Sequence, residues 1–588
     1  MQEATTVLKA IGNCGRKGMP LTRIYRQLFN PELFLLAYGN LYGNAGAMTK
    51  GTTQETADGM SIGKIDAIIE ALRFERFRWT PVRRVEIPKK DGKTRSLGIP
   101  TWTDKLVQEV LRLLLEAYYE PQFSKSSHGF RPKRGTHTAL EQVRHTGTGT
   151  KWFIEGDIKG CFDCIDHQIL LSILREKIHD NRLLRLIEYL LKAGYCEEWY
   201  YRETLSGTPQ GGIVSPLLAN IYLDRLDQFV EKTLIPAHTK GRVRKSNREY
   251  LKACRLAKNN WKQGNRKEAK EWKKATRQMP SGDPSDPNYR RLRYVRYADD
   301  FLLCFIGPLS EAQEIKETLR RFLLENLKLE LSEKKTLVTN AATGAARFLN
   351  YQISRQISNT KLDARKQRSV NSALRLKAPR DVIEKARQKY LRRDRPCHLP
   401  EMTGLTDLEI VRRYQSRYSG LVNYYGLAGN LPSFGKLHFT METSLLRTLA
   451  SKHKTSLRKM LAKYKSKAMT PQGPRKCIRV VVHRPGKKSL TAQFGGISLK
   501  RRSHPIVQDQ VLITPTRPKE LIRRLLEGIC ELCYRKAEVQ VHQVRRLADL
   551  KRLRARPAWA KVMLARNRKA LVICQYCHEE IHSTRQKA

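Results

Sequence analysis

No run in this 588-residue chain approaches the roughly 20 consecutive apolar residues of a membrane-spanning helix. The start, Met1-Gln-Glu-Ala-Thr-Thr, lacks the basic and apolar blocks of a secretory signal. No segment repeats at a fixed period. The 12 cysteines are too few for a disulfide scaffold in so long a chain, and eight of them are scattered. Acidic residues are scarce too: 56 Asp and Glu face 112 Lys and Arg, a net charge of +56. These absences argue against a membrane-spanning, secreted disulfide-rich or repeat protein. The expected setting is a bacterial cytoplasm, with an organelle as the alternative. A charge of that size and sign repels itself unless a polyanion neutralises it, so the expected partner is nucleic acid and not a membrane.

At this length several domains are expected. The most informative segment is Tyr297-Ala298-Asp299-Asp300, between the β-prone runs Leu292–Tyr297 and Phe301–Phe305. That pattern predicts strand, tight turn, strand, with two acids at the turn. Paired like charges are tolerable when solvated or when a divalent cation sits on them. A third acid, Asp157, ends a short strand from Trp152 and opens a turn that could project over the hairpin. Three such carboxylates suit two metal ions clamping an in-line phosphoryl displacement, the chemistry of a nucleotide polymerase.

Other elements are legible around them. Arg83–Pro100 reads as a basic hairpin with Asp91-Gly92 at its turn. Thr103–Tyr119 has helical spacing, with Leu106, Val110, Leu113 and Leu114 on one face. Asp166 caps a further helix, and Gly207–Gly212 is a loop feeding a helix over Leu217–Phe229. Residues 236–291 hold 17 Lys and Arg against 5 Asp and Glu, with Trp261 and Trp272. They read as a charged helical insertion, either a solvated surface or a nucleic-acid contact. Residues 451–520 are more polarised still, with 18 Lys and Arg against 2 acids.

Asp157 with Phe162 five residues on, then Ser206-Gly-Thr-Pro-Gln-Gly-Gly-Ile-Val-Ser-Pro216, then Tyr297-Ala-Asp-Asp, resembles the group II intron-encoded proteins in motif and order. These are reverse transcriptases with maturase and HNH endonuclease parts. The resemblance covers nearly the whole chain. It runs through Ile87-Pro-Lys89, Gly98–Thr101, Asp104, Gln108, Ser127–Pro132, Leu331–Thr336, Phe348–Tyr351 and Gly420–Tyr425. Asn350 stands where the family usually has Gly, which implies an altered turn. The Gln210-Gly211 and Ser215-Pro216 pairs are kept, unlike in the diversity-generating reverse transcriptases.

The resemblance implies an α+β right-hand polymerase with fingers, palm and helical thumb, then a basic DNA-binding linker and a small zinc-containing ββα-metal (HNH) module. The implied boundaries are 1–75 for an N-terminal fingers extension and 76–370 for fingers and palm, then 371–462 for the thumb (maturase domain X). The basic DNA-binding region follows at 463–520 and the HNH domain at 521–588. It implies that Asp157, Asp299 and Asp300, with the backbone of Ile158, hold two magnesium ions. Lys89, Arg95, Phe162, Gln210 and Lys335 would contact the nucleotide, with Phe162 excluding a 2′-hydroxyl. Partners would be intron RNA, target DNA and dNTPs; the oligomeric state is left open. The protein would bind its intron RNA to assist splicing and copy it into DNA at a target site by target-primed reverse transcription. The alternative is a maturase acting only as an RNA-binding splicing factor. Of Tyr418, Tyr424 and Tyr425 in the thumb, two are expected to be packing residues.

Cys530-Glu-Leu-Cys533 and Cys574-Gln-Tyr-Cys577 have the spacing of a structural zinc site. By resemblance, His542, His578 and His582 hold a nuclease divalent cation. The family pattern reads His-His where this chain has His542-Gln543, and glutamine cannot serve as a general base. Reduced or absent nicking is therefore expected, with another nearby base, a natural loss and an engineered change all open.

Overall fold

The run Phe301–Phe305 is continuously apolar because its strand is covered on both faces. The structure, a computed structural model, describes residues 3–586 apart from 45, 89–91, 93, 198–199, 203–206, 208–210, 359–360, 365–369, 471–472, 505–519, 552 and 554–555. In it, Asp300–Ile306 is an inner strand of a four-stranded antiparallel palm sheet. The order across the sheet is Val338–Asn340, Trp152–Asp157, Asp300–Ile306, Arg291–Tyr297. Alternation along the strands splits the side chains between two cores. Ile154, Phe301, Leu303 and Phe305 join the fingers and palm helices, among them Trp102–Tyr119 and Ser215–Phe229. Phe153, Val295, Leu302 and Cys304 join the thumb. The two cores thus share one sheet.

The basic hairpin pairs Val82–Pro88 with Thr94–Ile99, and Val82 also runs parallel to Tyr195. The His167–Arg175 helix is capped by Asp166, whose carboxylate accepts the Ile169 amide. The insertion is a pair of helices, Arg248–Lys262 and Arg266–Gln278, each with a single buried residue, Ala253 and Ala269. Trp261 and Trp272 stay exposed, and the Arg266 guanidinium lies 3.7 Å over the Trp261 ring.

Past the palm, the hairpin of Ala346–Phe348 and Tyr351–Arg355 turns on Leu349 and Asn350, both at positive φ (49° and 57°). Asn350 therefore takes the left-handed conformation a glycine would supply. The helix Asp407–Tyr424 buries Tyr418, and Tyr425 just beyond it is buried too; Tyr424 is half-buried and bonds Leu349 through its hydroxyl.

Two features depart from expectation. The basic region is no linker through Gly495. Lys465–Thr470, Gly473–Arg484 and Lys487–Gly495 form an antiparallel sheet. Its inner residues Ile478, Val480, Ala492 and Phe494 pack in the thumb core, while Lys465, Lys467, Lys476 and Arg484 are exposed. The second departure is at the C-terminus. Val539–Gln543 and Ala570–Cys574 pair, and Met60–Ser61 adds as a third strand. Leu571 and Ile573 face the module's own core, whereas Val539, Val541 and Val572 face the core of the N-terminal region. The C-terminal module is built onto the N-terminal segment. Among the described residues no helix is long and apolar enough to cross a membrane.

Candidate active site

The acidic turn is held from below. Tyr297 pairs with Asp300, leaving Ala298 and Asp299 as a two-residue loop with Ala298 at φ 55°. Arg296, fully buried, forms a two-pronged ion pair with Asp227 (Nε to Oδ1 2.7 Å) and donates through Nη1 to the Ala298 carbonyl oxygen at 2.9 Å. Tyr294 donates its hydroxyl to the same Asp227. Gly129 packs against the loop so closely that a Cβ there would lie 2.4 Å from the Ala298 nitrogen. Neither Arg296 nor Gly129 was legible as a site residue. An arginine in an alternating strand reads as solvent-facing, and a lone Gly carries no signal of what approaches it.

Asp300 and Asp157 are registered partners across neighbouring strands. The Ile158 amide donates to the Asp299 carbonyl oxygen at 3.3 Å, tying the end of one strand to the turn of the other. Burial, then the charges of Asp157 and Asp299, push the Asp300 carboxyl up to about 8 despite the Leu349 amide. Burial and Asp157 also raise Asp299, with Lys335 and Arg95 opposing. Two carboxyls, Asp299 and Asp300, that resist ionising beside Asp157 are what an oxygen-seeking dication relieves. Lys335 donates to Asp157 Oδ2 at 2.8 Å. Phe162, half-buried, stands edge-on to Phe130 at 6.1 Å. Gly211 (φ 112°) leaves room for the fingers hairpin: a Cβ there would meet the Gly98 carbonyl oxygen at 2.4 Å. Lys89 and Gln210 lie outside the described residues.

The C-terminal module gathers two tighter groups, in each of which the ligand atoms lie within 4.8 Å of one another. The first is Cys530, Cys533, Cys574 and Cys577. The Cys533 and Cys574 sulfurs are 3.8 Å apart. A tetrahedron with bonds of about 2.3 Å has edges of about 3.8 Å, so the set fits zinc. The second joins His542, His578 and His582 to Asp58, which comes from the N-terminal segment. No local pattern announces Asp58. Gln543 is buried at this junction: its amide donates to Asp58 Oδ1 at 2.7 Å and its side chain to the Tyr42 carbonyl oxygen at 2.9 Å.

The chain matches the model of the reverse transcriptase (RNA-dependent DNA polymerase) family over residues 87–370. It matches the type II intron maturase family over 372–478 and the AI2M/AI1M-like HNH endonuclease family over 530–578. It is 38% identical to the group II intron-encoded protein LtrA of Lactococcus lactis subsp. cremoris, with 99% of each chain covered. The chain belongs to the group II intron-encoded proteins. A 91 kDa protein in the cob intron of Schizosaccharomyces pombe is 36% identical over 95% of this chain and 69% of its own. The COX1/OXI3 intron 1 protein of Saccharomyces cerevisiae is 31% identical, over 95% of this chain and 68% of its own. As a group II intron-encoded protein, the chain is an RNA-directed DNA polymerase with a maturase region and an HNH domain. The splicing-factor-only alternative is not favoured, since the whole polymerase region is matched.

Proposed function

We propose that the site at Asp157, Asp299 and Asp300 extends a DNA primer with dNTPs along intron RNA, at a target DNA site. The observation that carries this is the register of Asp300 against Asp157, which sets carboxylates on one edge of the palm. Two magnesium ions bound there would activate the primer 3′-oxygen and neutralise the leaving pyrophosphate. The three acids, with the Ile158 carbonyl, supply the oxygen ligands. Arg95 on the basic hairpin faces the triphosphate. Lys335, already beside Asp157, gives its proton to pyrophosphate as the 3′-oxygen attacks the α-phosphorus. Phe162 lies beneath the sugar and rejects a 2′-hydroxyl. Lys89 and Gln210 complete the nucleotide contacts.

The thumb and its exposed basic sheet grip intron RNA and target DNA through phosphates, with little dependence on sequence. Zinc on the four cysteines holds the C-terminal module together. Nicking by that module is weak or lost, because Gln543 has no basic nitrogen and is spent on the junction with Tyr42.

The test is incorporation of dNTPs against rNTPs on poly(rA)/oligo(dT), with Asp299→Ala/Asp300→Ala as the control. The reading requires dNTP incorporation that the double substitution abolishes while intron RNA still binds. Equal use of rNTPs, or full activity of the double variant, overturns it.

A further inference from the structure

In the second metal cluster the geometry points to a structural role rather than a nuclease one. We infer that Asp58 is the fourth ligand of a closed tetrahedral site with His542, His578 and His582. A divalent cation of zinc type would then staple the C-terminal module to the N-terminal segment. The inference rests on the reading of the three histidines as metal ligands and adds Asp58 to it.

The distances from Asp58 to the three histidines fit the edges of a tetrahedron. Asp58 Oδ1 lies 3.2 Å from His542 Nδ1 and 3.3 Å from His578 Nε2, and Oδ2 lies 3.0 Å from His582 Nε2. Zinc bonds of about 2.0–2.1 Å to nitrogen and oxygen give edges of about 3.3 Å. A donor set of three imidazoles and one carboxylate suits zinc. A second observation points the same way. His542 is fully buried, and beyond the Asp58 carboxylate 3.2 Å from Nδ1 its ring nitrogens make no hydrogen bond of good geometry. A buried imidazole with so little polar contact is the exception in folded proteins, and a metal ion would satisfy it.

A catalytic zinc keeps three protein ligands and leaves the fourth position to water; four protein ligands mark a structural site. Asp58 takes that fourth position. The surrounding backbone is built for attachment. Gly59 donates to the Val541 carbonyl oxygen, Met60 pairs with Val541, and the Gln543 amide bonds Asp58. The residue in the general-base position and the would-be water site are both committed to holding the N-terminal segment.

The experiment counts zinc in the full-length protein after dialysis against a weak chelator, for the wild type, Asp58→Ala, Asp58→Asn and His582→Ala. Hydrogen exchange is followed over residues 539–543 and 60–61 in the same samples. The wild type should hold two zinc ions. Asp58→Ala should keep the cysteine-bound ion and bind the second at least about tenfold more weakly. Exchange at 539–543 and 60–61 should rise with it. His582→Ala, at a half-exposed position, should behave alike. If His582→Ala loses the second ion while Asp58→Ala and Asp58→Asn keep it within twofold, the histidine site stands and the inference fails. If no variant changes the zinc count, the histidine site fails as well. A second ion that leaves without any rise in exchange removes the staple.

Discussion

Asp300 sits directly opposite Asp157 in the antiparallel register of the palm, both carboxylates only partly exposed. Burial raises the Asp300 pKa to about 8, against 3.8 for a free Asp. A carboxyl shifted upward contributes stability that is complete below about pH 4 and lost as pH rises through about 8. In metal-free protein, Asp300→Asn should therefore gain thermal stability over the wild type as pH rises across that window. Saturating magnesium should abolish the difference by neutralising the carboxylate. Melting curves at several pH values, with chelator and with magnesium, check this; a gap that does not change with pH removes it.

Arg296 and Asp227 have no water to fall back on. Arg296→Ala should cost about 3–5 kcal/mol in urea unfolding, because it strands the Asp227 charge. Arg296→Met with Asp227→Leu should recover most of that stability yet still extend primers poorly, because the Ala298 carbonyl has lost its donor. Full activity in the double variant would reduce Arg296 to a purely structural residue.

Gly129 is needed for space rather than for its backbone freedom. A Cβ at 2.4 Å from the Ala298 nitrogen must push the loop that carries Asp299. Gly129→Ala should lower kcat by about 100-fold, the usual cost of misplacing reacting groups by an ångström. The binding of template RNA should change little.

The helical insertion can be removed cleanly. Its ends are close, since the Asn247 amide donates to the Ser281 carbonyl oxygen at 2.9 Å. Replacing residues 248–278 with a short Gly-Ser turn should alter stability by no more than about 0.5 kcal/mol. RNA affinity should fall, and its salt dependence should become shallower by about one unit for each phosphate no longer neutralised. Unchanged affinity and slope would make these helices a solvated surface.

Gln543→His alone should not restore nicking, because the new side chain is held against Tyr42 and faces a closed cluster. Combined with Asp58→Ala it should give measurable cleavage of target DNA. Nicking by the single variant would show that the site is open.

Local pattern carried the palm hairpin and the two CxxC pairs, because a period of two, a tight turn and a fixed ligand spacing are all written in neighbouring residues. Gly211 and Asp166 were readable for the same reason. The sheet at 465–495 was hidden by its charge, although Ile478, Val480, Ala492 and Phe494 alternate as a half-buried strand pair should. Arg296 was missed because its partner Asp227 lies 69 residues away. Asp58 was missed because nothing in its vicinity resembles a ligand motif; only the folded chain brings it to His542.

The bond from Gln543 to Asp58 spans 485 residues. At the pace of a ribosome, about 5–20 residues per second, the first partner waits roughly 25 to 100 s for the second. For that interval the strand Met60–Ser61 is an open edge on a growing polymerase, and the Val541 face of the N-terminal core is wet. Residues 539–543 thus close a region made 485 residues earlier, so a chain truncated before Val539 leaves behind an unsealed and aggregation-prone polymerase.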